Sequence, residues 1–259
     1  MLSAMKLISW NVNGIRAWSK KEQTLDWVLR QKPDFFCLQE TKAEPSQLAQ
    51  HITEIPGYTA FFEYSKERKG YSGVAIYTKH EPDRVDEGLG VPRLDTQGRF
   101  LALFFDKLVV INCYFPNGGM GGDAFTYKLD YYEAFLKYIT KLKKAGYSII
   151  FAGDVNVAHH EIDIARPKEN KDSIGFLPVE RDWLTCVEQA GFVDTWRSKH
   201  PETVRYSWWD MKTRARERNV GWRIDYIFVS DDLVPSIKKV DIHNDVYGSD
   251  HCPVSLEMK

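Results

Sequence analysis

Cysteine is scarce in this chain of 259 residues: Cys37, Cys113, Cys186 and Cys252 are the only four, and they lie far apart. That spacing excludes a zinc knuckle and a disulfide framework, and it fits a reducing compartment, cytoplasmic or, in a eukaryote, nuclear. The first three stand in apolar runs, where a thiol packs as a small hydrophobe. No apolar run approaches the length needed to cross a bilayer. The segment from Met1 to Met5 has no signal-type apolar region and reads as a short leader. Repeats, low-complexity tracts and Pro/Gly/Ser linkers are missing too, so residues 6–259 are expected to form a single domain, working as a monomer. Net charge is nearly absent, at −1. This removes any global electrostatic case for a polyanionic partner, but not a local one. Lys66, Arg68 and Lys69 cluster, as do Arg214, Arg216 and Arg218, and a basic face can be offset by an acidic pocket elsewhere.

Apolar side chains are present in quantity: 43% of residues are hydrophobic and 14% aromatic, enough for a sizeable core. Short apolar runs read as strands over 6–10, 35–39, 71–78, 99–105, 108–114, 148–152, 204–209, 222–229 and 252–256. Asp106-Lys107 joins two of them as a hairpin. Helical periodicity is clearest over 125–144, where Leu129, Tyr132, Phe135, Leu136, Ile139 and Leu142 form the buried stripe and Gly146 the stop. Ser19 and Glu22 have the spacing of a capping box before Leu25, Val28 and Leu29. A helix is expected from Pro45 to before Pro56, burying Leu48 and Ile52, and another from Pro178 to before Gly191. Strands in two groups with helices between them predict an α/β fold, two mixed β-sheets packed face to face and flanked by helices.

The strands share one unusual feature: polar groups stand where each ends. Ser148 to Ala152 leads through Gly153 to Asp154 and Asn156, and in extended chain such i, i+2 side chains point the same way. Asn11 and Asn13 repeat the pattern after the first strand, and Glu40 closes the second. Tyr114, Asn117, Asp225, Asp250 and His251 complete the set. An Asp-x-Asn after a strand is also a common turn. Collected, however, carboxylates and carboxamides with a single histidine make an oxygen-rich site suited to Mg²⁺ or Mn²⁺. Acids so concentrated repel one another unless a cation joins them. His159 and His160 lack ligand spacing and are read as structural. The irregular stretch 158–176 is long enough to suggest a functional loop.

The chain resembles the exonuclease III family of apurinic/apyrimidinic endonucleases, within the endonuclease/exonuclease/phosphatase superfamily. The resemblance runs from Lys6 to the end. It rests on Ser-Trp-Asn-Val-Asn-Gly at 9–14, Leu-Gln-Glu-Thr-Lys at 38–42, Lys-Gly-Tyr-Ser-Gly-Val-Ala at 69–75 and Tyr-Phe-Pro-Asn-Gly at 114–118. It continues in Gly-Asp-Val-Asn-Val-Ala-His at 153–159, Gly-Phe-Leu-Pro-Val-Glu-Arg at 175–181, Asn-Val-Gly-Trp-Arg-Ile-Asp-Tyr at 219–226 and Ser-Asp-His-Cys-Pro at 249–253.

Such a resemblance implies a four-layer α/β sandwich, Mg²⁺ dependence with Mn²⁺ as a substitute, and double-stranded DNA containing abasic sites as substrate. The expected cut is 5′ to the abasic site, leaving a 3′-hydroxyl. It also implies roles. Glu40, Asn13 and Asp250 look like the metal set, with Asn13 standing where some relatives carry Asp. Asp154 looks like the base that activates water, helped by Asn156 and Asn11, although Tyr114 and the His251–Asp225 pair are also candidates. His251, Tyr114 and Asn117 look like phosphate contacts. Trp208, Trp222 and Ile224 occupy the sugar-pocket positions, and Arg16, Lys21, Tyr71, Arg214, Arg216 and Arg218 are expected on the DNA backbone.

Overall fold

The computed structural model describes residues 4–22, 24–119 and 121–259. Residues 1–3 of the expected leader lie outside these, whereas Met5 is buried in the core, its carbonyl accepting from Met258 N. Among the described residues twelve strands follow in chain order: β1 (Lys6–Asn11), β2 (Phe35–Gln39), β3 (Thr59–Glu63), β4 (Val74–Thr78), β5 (Arg84–Asp86), β6 (Phe100–Phe105), β7 (Leu108–Cys113), β8 (Ser148–Asp154), β9 (Phe192–Asp194), β10 (Asp225–Ser230), β11 (Ile237–Ile242) and β12 (Val254–Met258). They form two six-stranded sheets, ordered β11-β12-β1-β2-β4-β3 and β5-β6-β7-β8-β10-β9. Both are mixed: β1 pairs parallel with β2 and β7 with β8, while the other pairings are antiparallel.

Alternation along each strand sorts the core into layers. Leu7, Phe35, Cys37, Val74 and Ile76 from one sheet meet Leu101, Leu103, Val110, Ile150, Ala152, Ile227 and Val229 from the other. The opposite faces, Ile8, Trp10, Phe36 and Leu38 on one side and Ile149, Phe151 and Phe228 on the other, pack against helices. Helix Leu25–Gln31 covers the first sheet, and helices Asp123–Lys144 and Pro178–Gln189 cover the second. This is the four-layer arrangement. Between the sheets, Gln39 Nε2 donates to Ser9 Oγ (2.9 Å) and Asn112 Oδ1 (2.7 Å), and Asn112 Nδ2 donates to the carbonyls of Leu38 and Ala75 (both 2.8 Å). These bonds fix the stacking of the sheets, since leaving such buried groups unpaired is costly.

Several local expectations differ from the structure. Ser19 ends the short helix Ile15–Trp18 by donating its N–H to Ile15 O, and the next helix begins after Thr24. The helix expected from Pro45 is split into Pro45–Gln47 and Gln50–Thr53, because Leu48 and Ala49 adopt extended torsions. Residues 71–73 precede β4 rather than joining it, since Ser72 and Gly73 have φ of 52° and 94°. Residues 204–209 and 222–224 contribute only isolated bridges. Cys186 is exposed and Cys252 buried, because residue 186 lies on the solvent face of its helix.

Gly153 is required by its neighbours. At φ 147°, a Cβ there would lie 1.8 Å from the Cys113 carbonyl oxygen on the adjoining strand. Gly153→Ala is expected to destabilise the fold by roughly 3 kcal/mol, lowering Tm by roughly 6–12 °C, which thermal unfolding would measure. An unchanged Tm would show that β7 and β8 can part without cost.

Candidate active site

The inward stripe of each central strand ends on a polar residue. Leu7 and Ser9 lead to Asn11, Val110 and Asn112 to Tyr114, Ile150 and Ala152 to Asp154, and Val229 and Ile227, read backwards, to Asp225. All four therefore emerge at one end of the seam between the sheets. Asn11 on one sheet donates Nδ2–H to Asp154 Oδ2 on the other at 2.9 Å. The Asn156 backbone N–H meets Asp154 Oδ1 at 2.8 Å. His251 Nδ1 lies 2.8 Å from Asp225 Oδ2, and its Nε2 faces Asp154 Oδ2 at 3.8 Å.

Glu40 accepts from Tyr114 OH at 2.6 Å. Lys42 Nζ stands 2.5 Å from Asn13 Oδ1 and 3.6 Å from Glu40 Oε2, while Asn13 Nδ2 donates to Asp250 Oδ1 at 3.0 Å. Trp208 Nε1–H holds the other Asp250 oxygen at 3.1 Å. Asn13, Glu40, Lys42 and Asn156 all have φ between 47° and 57°. Left-handed torsions at non-glycine residues carry strain, and here they cluster on the site.

A cavity of about 560 Å³ opens over these groups. Asn11, Asn13, Glu40, Tyr114, Asn117, Asp154, Asn156, Asp250 and His251 line it, with Trp208, Trp222 and Ile224 forming one wall. The two tryptophans are half-buried and meet edge to face, ring centroids 6.1 Å apart, so they are wall and not core. Asp225 sits behind His251, 2% exposed.

The proposed backbone contacts are placed outside this cavity. Arg16 and Lys21 are exposed on the segment that follows β1, and Lys21 Nζ donates to Gly248 O at 2.6 Å. Tyr71 OH accepts from Arg99 at 2.8 Å. Arg216 differs most from a free guanidinium. It donates to the carbonyls of Asn244, Val246 and Ser249 and stacks on Trp209 and Tyr247, so it braces the 244–249 loop. Arg214 is exposed, whereas Arg218 donates to Thr213 O.

Sequence patterning passed over Lys42 and the Ser173-Ile174-Gly175 wall opposite Trp222. It also passed over Ser207, whose hydroxyl donates to Asp225 Oδ2 at 2.7 Å while accepting the N–H groups of Ile224 and Asp225. Lys42 ends the Leu-Gln-Glu-Thr-Lys segment, and the wall lies within the irregular stretch 158–176. Ser207 carries no such signal. His159 and His160 do come together with Glu188. Their rings, however, are stacked 3.8 Å apart and 26° from parallel, so their in-plane lone pairs do not converge on one ion. The structural reading of the pair stands.

Burial opposes charge on every one of these groups, and their neighbours decide the outcome. Burial pushes Asp154 up to about 7, against the pull of His251. For His251 burial favours the neutral ring, but Asp225 and Asp154 outweigh it and raise the group to about 10. Tyr114 is driven well above the ordinary phenol range, first by burial and then by Glu40. Asp250 stays below the usual carboxylate range because His251 and the donors Asn13, Trp208 and Ser249 outweigh its burial.

The donor set fits a hard divalent cation. Oxygens of Glu40 and Asn13 converge on the Lys42 ammonium, Asp250 adjoins them through the bond it accepts from Asn13 Nδ2, and the ligand atoms of Asp154, Asp225 and His251 gather in a second cluster. Asp225 Oδ1 is buried without a hydrogen-bond partner.

Residues 8–251 match the family described as Endonuclease/Exonuclease/phosphatase. The chain belongs to it. Among relatives in this family, the exodeoxyribonuclease of Bacillus subtilis is 43% identical over 253 residues, covering 97% of this chain and 98% of that protein. The DNA repair nuclease APEX1 of Danio rerio is 40% identical, over 97% of this chain and 81% of its own. Of solved structures, an AP endonuclease from Archaeoglobus fulgidus superposes with a TM-score of 0.88 at 30% identity, covering 98% and 99% of the two chains. The 3′ phosphatase NExo from Neisseria, bound to a product DNA hairpin, gives 0.90 at 28% identity, with 98% and 99% covered. Like other members of the endonuclease/exonuclease/phosphatase family, this protein is a hydrolase built on two mixed sheets.

Proposed function

We propose that this DNA repair nuclease hydrolyses the phosphodiester 5′ to an abasic site in duplex DNA, leaving a 3′-hydroxyl and a 5′-deoxyribose phosphate. The same site would remove 3′ blocking groups and nucleotides from 3′ ends. One observation carries the reading: a carboxylate poised to take a proton and a cationic imidazole open onto the cavity walled by Trp208, Trp222 and Ile224. An extruded sugar without its base fits against this aromatic wall, and its extrusion sacrifices no stacked base.

Asp154 is the base in this scheme. Tyr114 is driven away from phenolate, and His251 is already protonated at neutral pH, so neither is free to accept a proton. Asp154 instead takes the proton of the attacking water, with Asn11 and the Asn156 N–H fixing the carboxylate. His251, held by Asp225 and through it by Ser207, presents Nε2–H to the phosphate oxygen on which charge develops. Asn117 stands exposed at the rim as a second phosphate contact. Mg²⁺, with Mn²⁺ as a substitute, would be held by Glu40, Asn13 and Asp250, and would polarise the phosphate and the water. Arg16, Lys21 and Tyr71 are proposed as backbone contacts, and Arg216 as the support of a DNA-facing loop.

Incision of a duplex carrying one tetrahydrofuran abasic analogue, with and without chelator, tests the reading directly. A single metal-dependent cut 5′ to the analogue is expected, and no cut would overturn it. Trp222→Ala should reduce the preference for abasic over intact duplex roughly tenfold, as expected for losing one aromatic contact. It should leave the slope of log affinity against log salt unchanged, because a pocket wall neutralises no phosphate. Equilibrium binding in chelator at several salt concentrations would check it, and retained preference in a folded variant would move the pocket elsewhere.

A further inference from the structure

Lys128 lies on the long helix Asp123–Lys144, outside the cavity, with its side chain fully buried. Its ammonium meets Glu180 Oε1 at 2.5 Å, and Glu180 is fully buried too. The other donors of Lys128 go to two backbone carbonyls, Asn156 O at 3.0 Å and Asn117 O at 3.4 Å. Asn156 follows the base by two residues, and Asn117 is a rim contact for phosphate. Glu180 Oε2 in turn accepts from Gly175 N at 2.7 Å and Leu177 N at 3.1 Å. Gly175 faces the Trp222 ring so closely that a Cβ there would lie 2.9 Å from it. One ion pair thus reaches three loops: that of the base, that of the phosphate contact, and the wall opposite Trp222.

A surface lysine would have left these carbonyls to water. Burying an ion pair carries a desolvation cost that attraction barely offsets, so net stability is a weak reason for its presence. What it supplies is geometry. The Asn117 and Asn156 loops follow β7 and β8, with Asn156 at φ 57°, and the Gly175 segment joins helices Pro167–Asn170 and Pro178–Gln189; none belongs to a strand ladder that would fix its height over the site.

We propose that Lys128 and Glu180 are positioning residues. The pair would lock the base loop, the phosphate loop and the sugar-pocket wall at one spacing, so that water activation and sugar recognition are set together. Neither residue touches substrate. The inference rests on the proposed incision reaction, and the experiment keeps the two apart.

Removing one charge alone strands the other in the core, so the informative variant removes both: Lys128→Met with Glu180→Gln. Methionine fills the lysine stem, and the glutamine oxygen still accepts from Gly175 and Leu177. The fold should survive, while the tethers to Asn117 and Asn156 are lost. Single-turnover incision of the tetrahydrofuran duplex should slow ten- to hundredfold with KM within about twofold, since small misplacements of reacting groups have effects of this size. The midpoint of thermal unfolding should shift by only a few degrees. Lys128→Arg keeps the charge and donors and is expected to recover most of the rate.

Wild-type incision is the control, and its failure would remove the proposed function rather than the brace. Wild-type cutting with a folded double variant at full rate would overturn the positioning role. Were the double variant to misfold, Lys128→Arg decides: a rate reduced more than about tenfold in a stable protein would show that charge and donors are not what position the loops.

Discussion

Asp154→Asn is expected to slow incision by roughly a thousandfold while affinity for abasic duplex in chelator changes little. The amide keeps the size of the carboxylate and can still accept from Asn156 N–H. It loses the basicity that takes up a proton and the charge that faces His251 at 3.8 Å. Asn11, whose Nδ2–H now points at Asp154 Oδ2, would turn its own amide or meet another donor. None of this touches the aromatic wall or the exposed basic side chains, so binding should persist. Single-turnover rates beside equilibrium binding separate the two effects, and an equal loss in both would make Asp154 a binding residue.

The same assignment fixes the sign of the pH dependence. A base acts deprotonated and is lost as pH falls through its pKa, here about 7 before any cation is bound. A donor acts protonated and is lost as pH rises through its own, here about 10 for His251. The rate should therefore form a plateau between these limits, and added metal should carry the acid limb lower by favouring the carboxylate. In Asp154→Asn the acid limb should vanish from the residual rate.

Glu40→Gln should weaken the metal, and through it the reaction. The effect expected at limiting Mg²⁺ is a loss of roughly 100-fold in incision, of the order seen when support for a metal is removed. Raised Mg²⁺ or Mn²⁺ should restore part of it. The amide oxygen can still accept from Tyr114 OH, so the fold around β2 should hold, and the missing charge is what the cation would feel. Calorimetric titration with Mn²⁺ gives a readout independent of turnover. Undiminished ion affinity and full activity at limiting Mg²⁺ would take Glu40 out of the metal site.

Much of the site was legible because strand periodicity is local. A buried strand alternates its faces whatever surrounds it, so Asn11, Asp154 and Asp225 could be placed at strand ends, and their oxygen donors pointed to a hard cation. Glu40 was legible for a related reason, as an acid that ends an apolar run. Residues that act through distant partners were not. Lys128 sits between Tyr127 and Leu129 with nothing to separate it from a solvated helix lysine, and only Glu180 and two loop carbonyls explain its burial. Ser207 is hidden in a stretch that read as strand but forms only bridges. Arg216 looked like a phosphate contact because its neighbours are basic, yet it is committed to three carbonyls and two rings.

By itself the sequence determined most of the central strands, the long helices that cover them and the chemical types gathered at the strand ends. Each of these follows from spacing within a few residues. Tertiary structure decided which of those groups meet and in what state of charge. Asn11 reaches Asp154 across 143 positions, and the balance that makes Asp154 basic and His251 cationic depends on burial beside Asp225, itself fixed by Ser207. The physical reason is that periodicity comes from bonded geometry, whereas desolvation and charge pairing depend on whatever the folded chain brings within a few ångströms.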